Sequence, residues 1–298
     1  MSAPAIFDLD LLDRHRTRAA PSAASHDFLL DRVADDLTDR LALIQRKFPQ
    51  ALDLGAHHGL LGTRLRVTAG IDIFTALEPN ASLLAQCPPP KLQSSLEALP
   101  LAEASLDLIV SGLALQWVND LPGALIQINR ALKPDGLFLG ALLGGATLHE
   151  LRQAWLVAET EVTGGASPRV APFADVRDLG TLVQRAGFAL PVVDSDTVSV
   201  TYADPLSLMR EIKAMGASNM LTERRRAPVT RRLLVRAAEV YAERFALPNG
   251  RIPATFEILT ITAWRPDPSQ PKALKPGSAS VSFADVLPSR SPGARQIQ

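Results

Sequence analysis

The chain has 298 residues, 47% of them hydrophobic, with Lys+Arg and Asp+Glu balanced at 31 each; that is ample for a buried core and leaves no electrostatic footprint for nucleic acid or an anionic membrane surface. The single cysteine, Cys87, excludes an internal disulfide framework and any multi-cysteine metal site. With no basic segment and apolar run near the N-terminus, it points to a cytoplasmic location. The longest apolar run, residues 137–143, is too short to span a bilayer, so no integral membrane segment is expected.

Residues 6–18 mix apolar positions with Arg14, His15, Arg16 and Arg18, the pattern of a solvated helical arm. Across residues 28–48, Leu30, Val33, Leu37, Leu41, Ile44 and Phe48 recur at spacings of three and four, one face of a helix that Pro49 ends. A short apolar strand (Ala51, Leu52, Leu54) then runs into Gly55, Ala56 and Gly59, and a helical pattern (Leu60, Leu61, Leu65) follows. Glycine suits such a turn because it takes positive φ at little cost and admits a ligand to the backbone, while free N–H groups at a helix start favour an anion. Alone, the turn fits a nucleotide-type cofactor site or an ordinary tight turn.

A second strand, residues 71–77, closes on Glu78-Pro-Asn80. In a βαβ unit an acid at that place can accept hydrogen bonds from ribose hydroxyls, and its position relative to Gly55 favours that role over an exposed helix-start carboxylate. After Pro88, Pro89 and Pro90, a short strand at residues 91–94 leads to Ser95 and Leu96. The aliphatic strand at 106–110 reads as covered by helices on both faces. Gln116 and Trp117 lie just past its carboxyl end, where open α/β sheets place ligands, and Trp117 suits a core position as well as a cofactor contact. Asp120 caps a helix with Pro122 in its first turn and Leu121, Leu125, Ile128 and Leu132 as its stripe. Lys133-Pro-Asp-Gly136 reads as a turn before a strand at 137–143. The alternation argues a parallel, doubly wound sheet. Helices are expected at 147–163, 175–186, 205–215 and 223–245, with strands at 192–202 and 254–264. A loosely held tail rich in Pro, Ser and Gly is expected beyond Arg265.

Five ordered segments, Asp53-Leu-Gly-Ala-His-His-Gly59, Glu78-Pro-Asn80, Leu96-Glu-Ala-Leu-Pro100, Leu106-Asp-Leu-Ile-Val110 and Leu132-Lys-Pro-Asp-Gly136, together resemble class I S-adenosylmethionine-dependent methyltransferases. Further segments extend a resemblance to the family of mitochondrial complex I assembly factor 5 and its bacterial relatives over nearly the whole chain. They include Ile6-Phe-Asp8, Leu115-Gln-Trp-Val-Asn-Asp-Leu-Pro122, Gly144-Gly-Ala-Thr-Leu148, Arg185-Ala-Gly-Phe188, Met215-Gly-Ala-Ser-Asn219 and Gly277-Ser-Ala279. The resemblance implies a Rossmann-like α/β fold, a seven-stranded doubly wound sheet whose last strand is antiparallel. It divides the chain into an N-terminal arm or lid (1–26), a methyltransferase domain (27–203 and 254–266), a helical substrate cover (204–253) and a tail (267–298).

The resemblance also implies S-adenosyl-L-methionine as cofactor. Asp53, Gly55 and Gly59 would line its methionine end, Glu78 would bind the ribose, Ser95 and Leu96 would flank the adenine, and Trp117 would sit near the sulfonium; Ala56 and Pro79 complete the set. Family members usually carry glycine at the position of His57 and commonly aspartate at that of Ser95. His57 is accommodated if its backbone keeps negative φ and its side chain points away from the ligand.

The implied activity is divided among methyl transfer to a protein substrate in complex I assembly, arginine hydroxylation of a complex I subunit, malonyl-thioester O-methylation in biotin synthesis, and non-catalytic chaperoning. Methyl transfer asks the protein mainly to hold donor and acceptor in line. A two-histidine, one-carboxylate iron site is the common solution for oxygen chemistry. The histidines at 15, 26, 57, 58 and 149 show no His-x-Asp/Glu pair, so no metal site is expected, and no residue is singled out as catalytic.

Overall fold

The computed structural model describes residues 5–66 and 70–271. Two compact units divide the chain, 1–266 and 267–298. Of the second, the described residues include a turn in which the Gln270 N–H donates to the Asp267 carbonyl; the expected tail, Gly277-Ser-Ala279 with it, otherwise lies outside the described residues.

The first unit opens with α1 (Leu9–Ala19), α2 (Phe28–Ala42), β1 (Gln50–Leu54), α3 (Leu60–Leu65), β2 (Ile73–Leu77), α4 (Ala81–Leu84), β3 (Lys91–Leu92) and β4 (Leu106–Gly112). It continues through α5 (Leu121–Ala131), β5 (Leu132–Leu143), α6 (His149–Thr163), α7 (Val176–Arg185), β6 (Ala189–Tyr202), α8 (Pro205–Ala214), α9 (Arg231–Phe245) and β7 (Ile252–Trp264). The seven strands form one sheet in the order β3-β2-β1-β4-β5-β7-β6. The pairs from β3 to β5 are parallel, and β7 runs antiparallel to both neighbours, so the seven-stranded fold with its antiparallel last strand is as expected.

Alternation along β1 sorts the core into two layers. Ala51 packs with Val33, Leu37, Leu61 and Leu65 of α2 and α3 on one face. Leu52 and Leu54 pack with Leu125, Ile128, Leu179 and Val183 of α5 and α7 on the other. Helices thus cover both faces, which is what lets β4 be aliphatic from Leu108 to Val110, where it is buried. A third cluster joins α6, α8, α9 and β7, with Tyr241 fully buried and its hydroxyl donating to the Pro253 carbonyl at 2.7 Å.

Four of the differences from the sequence reading bear on the elements around the site. First, α2 stops at Ala42, six residues before Phe48, because the chain must become extended ahead of Pro49 and Phe48 turns its N–H to the Gly70 carbonyl. Second, Lys133-Pro-Asp-Gly136 does not precede β5 but bulges within it: Leu106 pairs with Leu132 and Leu108 with Leu137, and Lys133 Nζ binds both Asp107 oxygens at 2.9 Å. Third, α9 begins at Arg231, capped by Thr230 behind Pro228, rather than at 223. Fourth, α1 is not a solvated arm, for Leu12, Arg16 and Ala19 are buried along one side of it.

Candidate functional site

Three cavities lie side by side past the carboxyl ends of β1, β2, β4 and β5. The first, about 490 Å³, is bordered by Asp13 and Arg16 of α1, Pro79, Ser95, Leu96 and Trp117. The second, about 90 Å³, lies between Arg16, Gly55, His57, Gln116 and Trp117. The third, about 330 Å³, is mainly apolar and is bordered by Leu143, Trp155, Phe173, Met215, Met220 and Trp117. Trp117 borders all three. It is 8% exposed and is clasped edge-on by Phe7 at 5.7 Å and Phe173 at 5.6 Å.

The turn after β1 is tied to the end of β2. Gly55 (φ +75°) and Ala56 both donate their N–H to the Leu77 carbonyl. A Cβ on Gly55 would stand 2.2 Å from that of Ala114, so the backbone needs glycine both for conformation and for space. Gly59 (φ +89°) is the N-cap of α3 and faces Cys87 and Pro88; its missing side chain lets that loop approach. Asp53 is 1% exposed, accepts the Gly62 N–H on Oδ2 at 3.1 Å and has no partner for Oδ1 among the described residues. Burial pushes its carboxyl up to about 7, against the Gly62 hydrogen bond and aided by the charge of Glu78.

Glu78 is fully buried. Oε1 accepts from the Asn80 N–H at 3.0 Å and from Arg16 Nη1 at 3.4 Å, and Oε2 accepts from the His57 N–H at 2.9 Å. Burial raises its pKa, while Arg16 and the two N–H donors oppose the shift. Asn80 caps α4 through its Oδ1 and gives its Nδ2 to Asp13 and Thr17 of α1. Thus the strand-end acid and its neighbour hold the N-terminal helix over the site.

His57 does not keep negative φ. It sits at +54°, partly buried, with Nδ1 2.9 Å from Nδ1 of His58; His58 Nε2 in turn meets Asp27 Oδ2 at 3.0 Å. Burial, with Arg16 and His58 nearby, drives the His57 pKa down to about 3 and keeps the ring neutral. The turn needs left-handed backbone at this position, a conformation that glycine adopts more readily than an L-residue with a side chain.

Of the nine residues picked from sequence, Pro79, Ser95, Leu96 and Trp117 border the first cavity and Gly55 and Trp117 the second. Asp53, Ala56, Gly59 and Glu78 border none of the three cavities. Sequence reading missed Arg16, Asp13 and Met215. For Arg16 a signal existed: Leu12, Arg16 and Ala19 fall at helical spacing on one face, so the arginine belongs with the apolar stripe. Asn119 is likewise an anchor, exchanging two hydrogen bonds with the backbone of Phe7 at 2.8 and 3.2 Å.

A methyltransferase domain profile matches residues 52–140. Arginine-hydroxylase NDUFAF5, mitochondrial, of Mus musculus is 42% identical over 94% of this chain and 83% of its own length. The chain belongs to the NDUFAF5 family. The malonyl-[acyl-carrier protein] O-methyltransferase of Halorhodospira halophila is 36% identical over 86% of this chain and 90% of its own. A solved methyltransferase-fold structure from Bacillus halodurans C-125 superimposes with a TM-score of 0.55 at 13% identity, covering 80% of this chain and 99% of that one, which speaks to fold alone. The cytoplasmic location expected above does not stand, since the NDUFAF5 relatives are named as mitochondrial; a lone cysteine constrains disulfide chemistry, not the compartment.

The NDUFAF5 family shares the class I methyltransferase architecture, whose cofactor is S-adenosylmethionine, and the residues present fit that group. A large slot and a small pocket share Arg16 and Trp117, a buried acid ends β2, and Gln116, which borders the small pocket, has a buried Oε1 without a partner among the described residues. Among the described residues no helix is long and apolar enough to cross a membrane, and no group of three His, Cys, Asp or Glu is arranged to hold a metal ion.

Proposed function

We propose that this protein is an S-adenosylmethionine-dependent enzyme that acts on a protein substrate in respiratory complex I assembly, with cofactor in the first two cavities and the acceptor side chain in the third. The observation that carries this reading is the single wall, Trp117, common to all three cavities. In this reading Pro79, Ser95 and Leu96 flank the adenine and Glu78 takes the ribose. Asp53, Gly55, Ala56 and Gly59 shape the methionine end, and Trp117 separates the donor from the acceptor. Bound S-adenosylmethionine supplies a methyl group already attached to a good leaving group, so positioning is the protein's main task. Residues 1–26 serve as the arm, 27–203 and 254–266 as the catalytic domain, and 204–253 as the substrate cover.

The third cavity carries one charged side chain on its wall, Arg169, whose Nε binds Glu159 at 2.9 Å while its guanidinium lies 5.0 Å from the Trp155 ring centre. The wall is therefore electrically neutral and suits the aliphatic stem of an inserted side chain. The NDUFAF5 relatives' name favours arginine hydroxylation as the second reading. Mass spectrometry of complex I subunit peptides from cells with and without the protein tests both. Loss of a methyl increment supports methyl transfer, loss of an oxygen increment moves the assignment to hydroxylation, and an unchanged spectrum rejects both in favour of a chaperone.

A further inference from the structure

Arg16 occupies an unusual position for a guanidinium. Its side chain is 9% exposed, yet it borders both the large first cavity and the small second one. Among the described residues its guanidinium makes one hydrogen bond, to Glu78 Oε1, long at 3.4 Å and single-pronged. Such a contact is far from the bidentate pairing that makes arginine–carboxylate bonds durable.

Glu78 makes the same point from the other side. A carboxylate offers about four acceptor positions, and three are used here by Asn80, His57 and Arg16. A ribose diol needs two. The two backbone N–H donors are fixed by the turn and by α4, so Arg16 is the donor that can leave.

The other ionisable groups around the second cavity are already engaged. His26 Nδ1 meets Glu211 at 3.0 Å, Asp27 meets His58, and His57 is held neutral. Arg16 is thus the cation left to answer an anion in a pocket of about 90 Å³, the size of an amino-acid group rather than of a second nucleotide.

We propose that Arg16 binds the α-carboxylate of the cofactor's amino-acid end, exchanging Glu78 for it as the ribose hydroxyls take Arg16's place on Glu78. The inference rests on the S-adenosylmethionine reading above and adds a ligand residue from outside the methyltransferase core. One movement of one side chain then satisfies both ends of the cofactor, and the N-terminal helix becomes part of the binding site.

Calorimetry on the full chain with S-adenosylhomocysteine and 5′-methylthioadenosine, which share the adenosine but not the amino-acid group, tests it. The parent should bind both. Arg16→Ala should weaken S-adenosylhomocysteine by about tenfold or more, the effect of one charge-assisted hydrogen bond, while methylthioadenosine binds as well as before or better because Glu78 is released. Arg16→Lys, which keeps the charge and provides the test if the alanine variant does not fold, should show the same selective loss at smaller size. Equal weakening of both ligands, or tightening of both, would overturn the proposal, the first marking Arg16 as structural and the second as a competitor only. Failure of the parent to bind either ligand would instead remove the cofactor reading on which the anchor depends.

Discussion

The backbone N–H of His57 donates to Glu78 Oε2 at 2.9 Å, so the acid that ends β2 also fixes the turn that follows β1. Glu78 is therefore a structural member before any ligand arrives. Glu78→Ala would strand two buried N–H donors and the Arg16 guanidinium, and breaking a buried pair by removing one partner costs about 3–5 kcal/mol. Urea unfolding should show a loss of that order for Glu78→Ala and a smaller one for Glu78→Gln, which keeps an acceptor oxygen. A Glu78→Ala protein within about 1 kcal/mol of the parent would contradict this.

At His57 the left-handed backbone disfavours any side chain, by roughly 1–2 kcal/mol, while a new glycine loses about 0.5–1 kcal/mol through chain entropy. His57→Gly should leave stability unchanged or slightly raised, and His57→Val should lower it, since a β-branched residue at φ +54° is strained. Thermal melts of the two variants decide. A large loss in the glycine variant would mean that the His57–His58–Asp27 chain holds the turn.

Asp53 gives the protein a pH dependence of definite sign. Its folded pKa, raised by burial to about 7 from an ordinary 3.8, means that the folded state keeps the proton longer than the unfolded chain does. The resulting penalty is absent below about pH 4, grows between pH 4 and 7, and is complete above 7. Asp53→Asn should therefore stabilise the protein at pH 8, by on the order of 2–4 kcal/mol, with the gain vanishing near pH 4. A gain independent of pH would place the effect elsewhere.

Hydrogen exchange should report one cooperative lid. Asp8 donates its N–H to the Met220 carbonyl at 2.8 Å and pairs with Arg224 at 3.1 Å, and Phe7 bridges to Leu221. Amides of α1 and of residues 217–224 should open together and gain protection together when S-adenosylhomocysteine is added. Protection confined to α1 would separate the arm from the substrate cover.

The sheet was legible because β1, β4 and β5 carry aliphatic runs at the right spacing, and the turn because Gly55 and Gly59 stand where the backbone is left-handed. Glu78 and Trp117 were legible by their place at strand ends. What escaped was everything that depends on partners distant in sequence. The charged run around Arg16 reads as solvent-facing until Glu78 and Asn80 are known to lie beneath it. The left-handed φ of His57 could not be read from an imidazole between Ala56 and His58. The overlong reading of α2 came from apolar periodicity that continues to Phe48, which is buried after the helix has ended, whereas residues 223–230 ahead of α9 are mostly exposed and carry no such stripe.

The bond between Asp8 and Arg224 spans 216 residues, and that separation orders events during synthesis. Residue 8 leaves the ribosome long before the segment that receives it, so α1 has no docking partner at residues 220–224 while β1 to β5 are emerging. Such distant closure is slow to form and is made late. Phe7, Leu12 and Trp117 pack with Met220 and Leu221, so the enclosure around Trp117 is complete only once that late segment has been made.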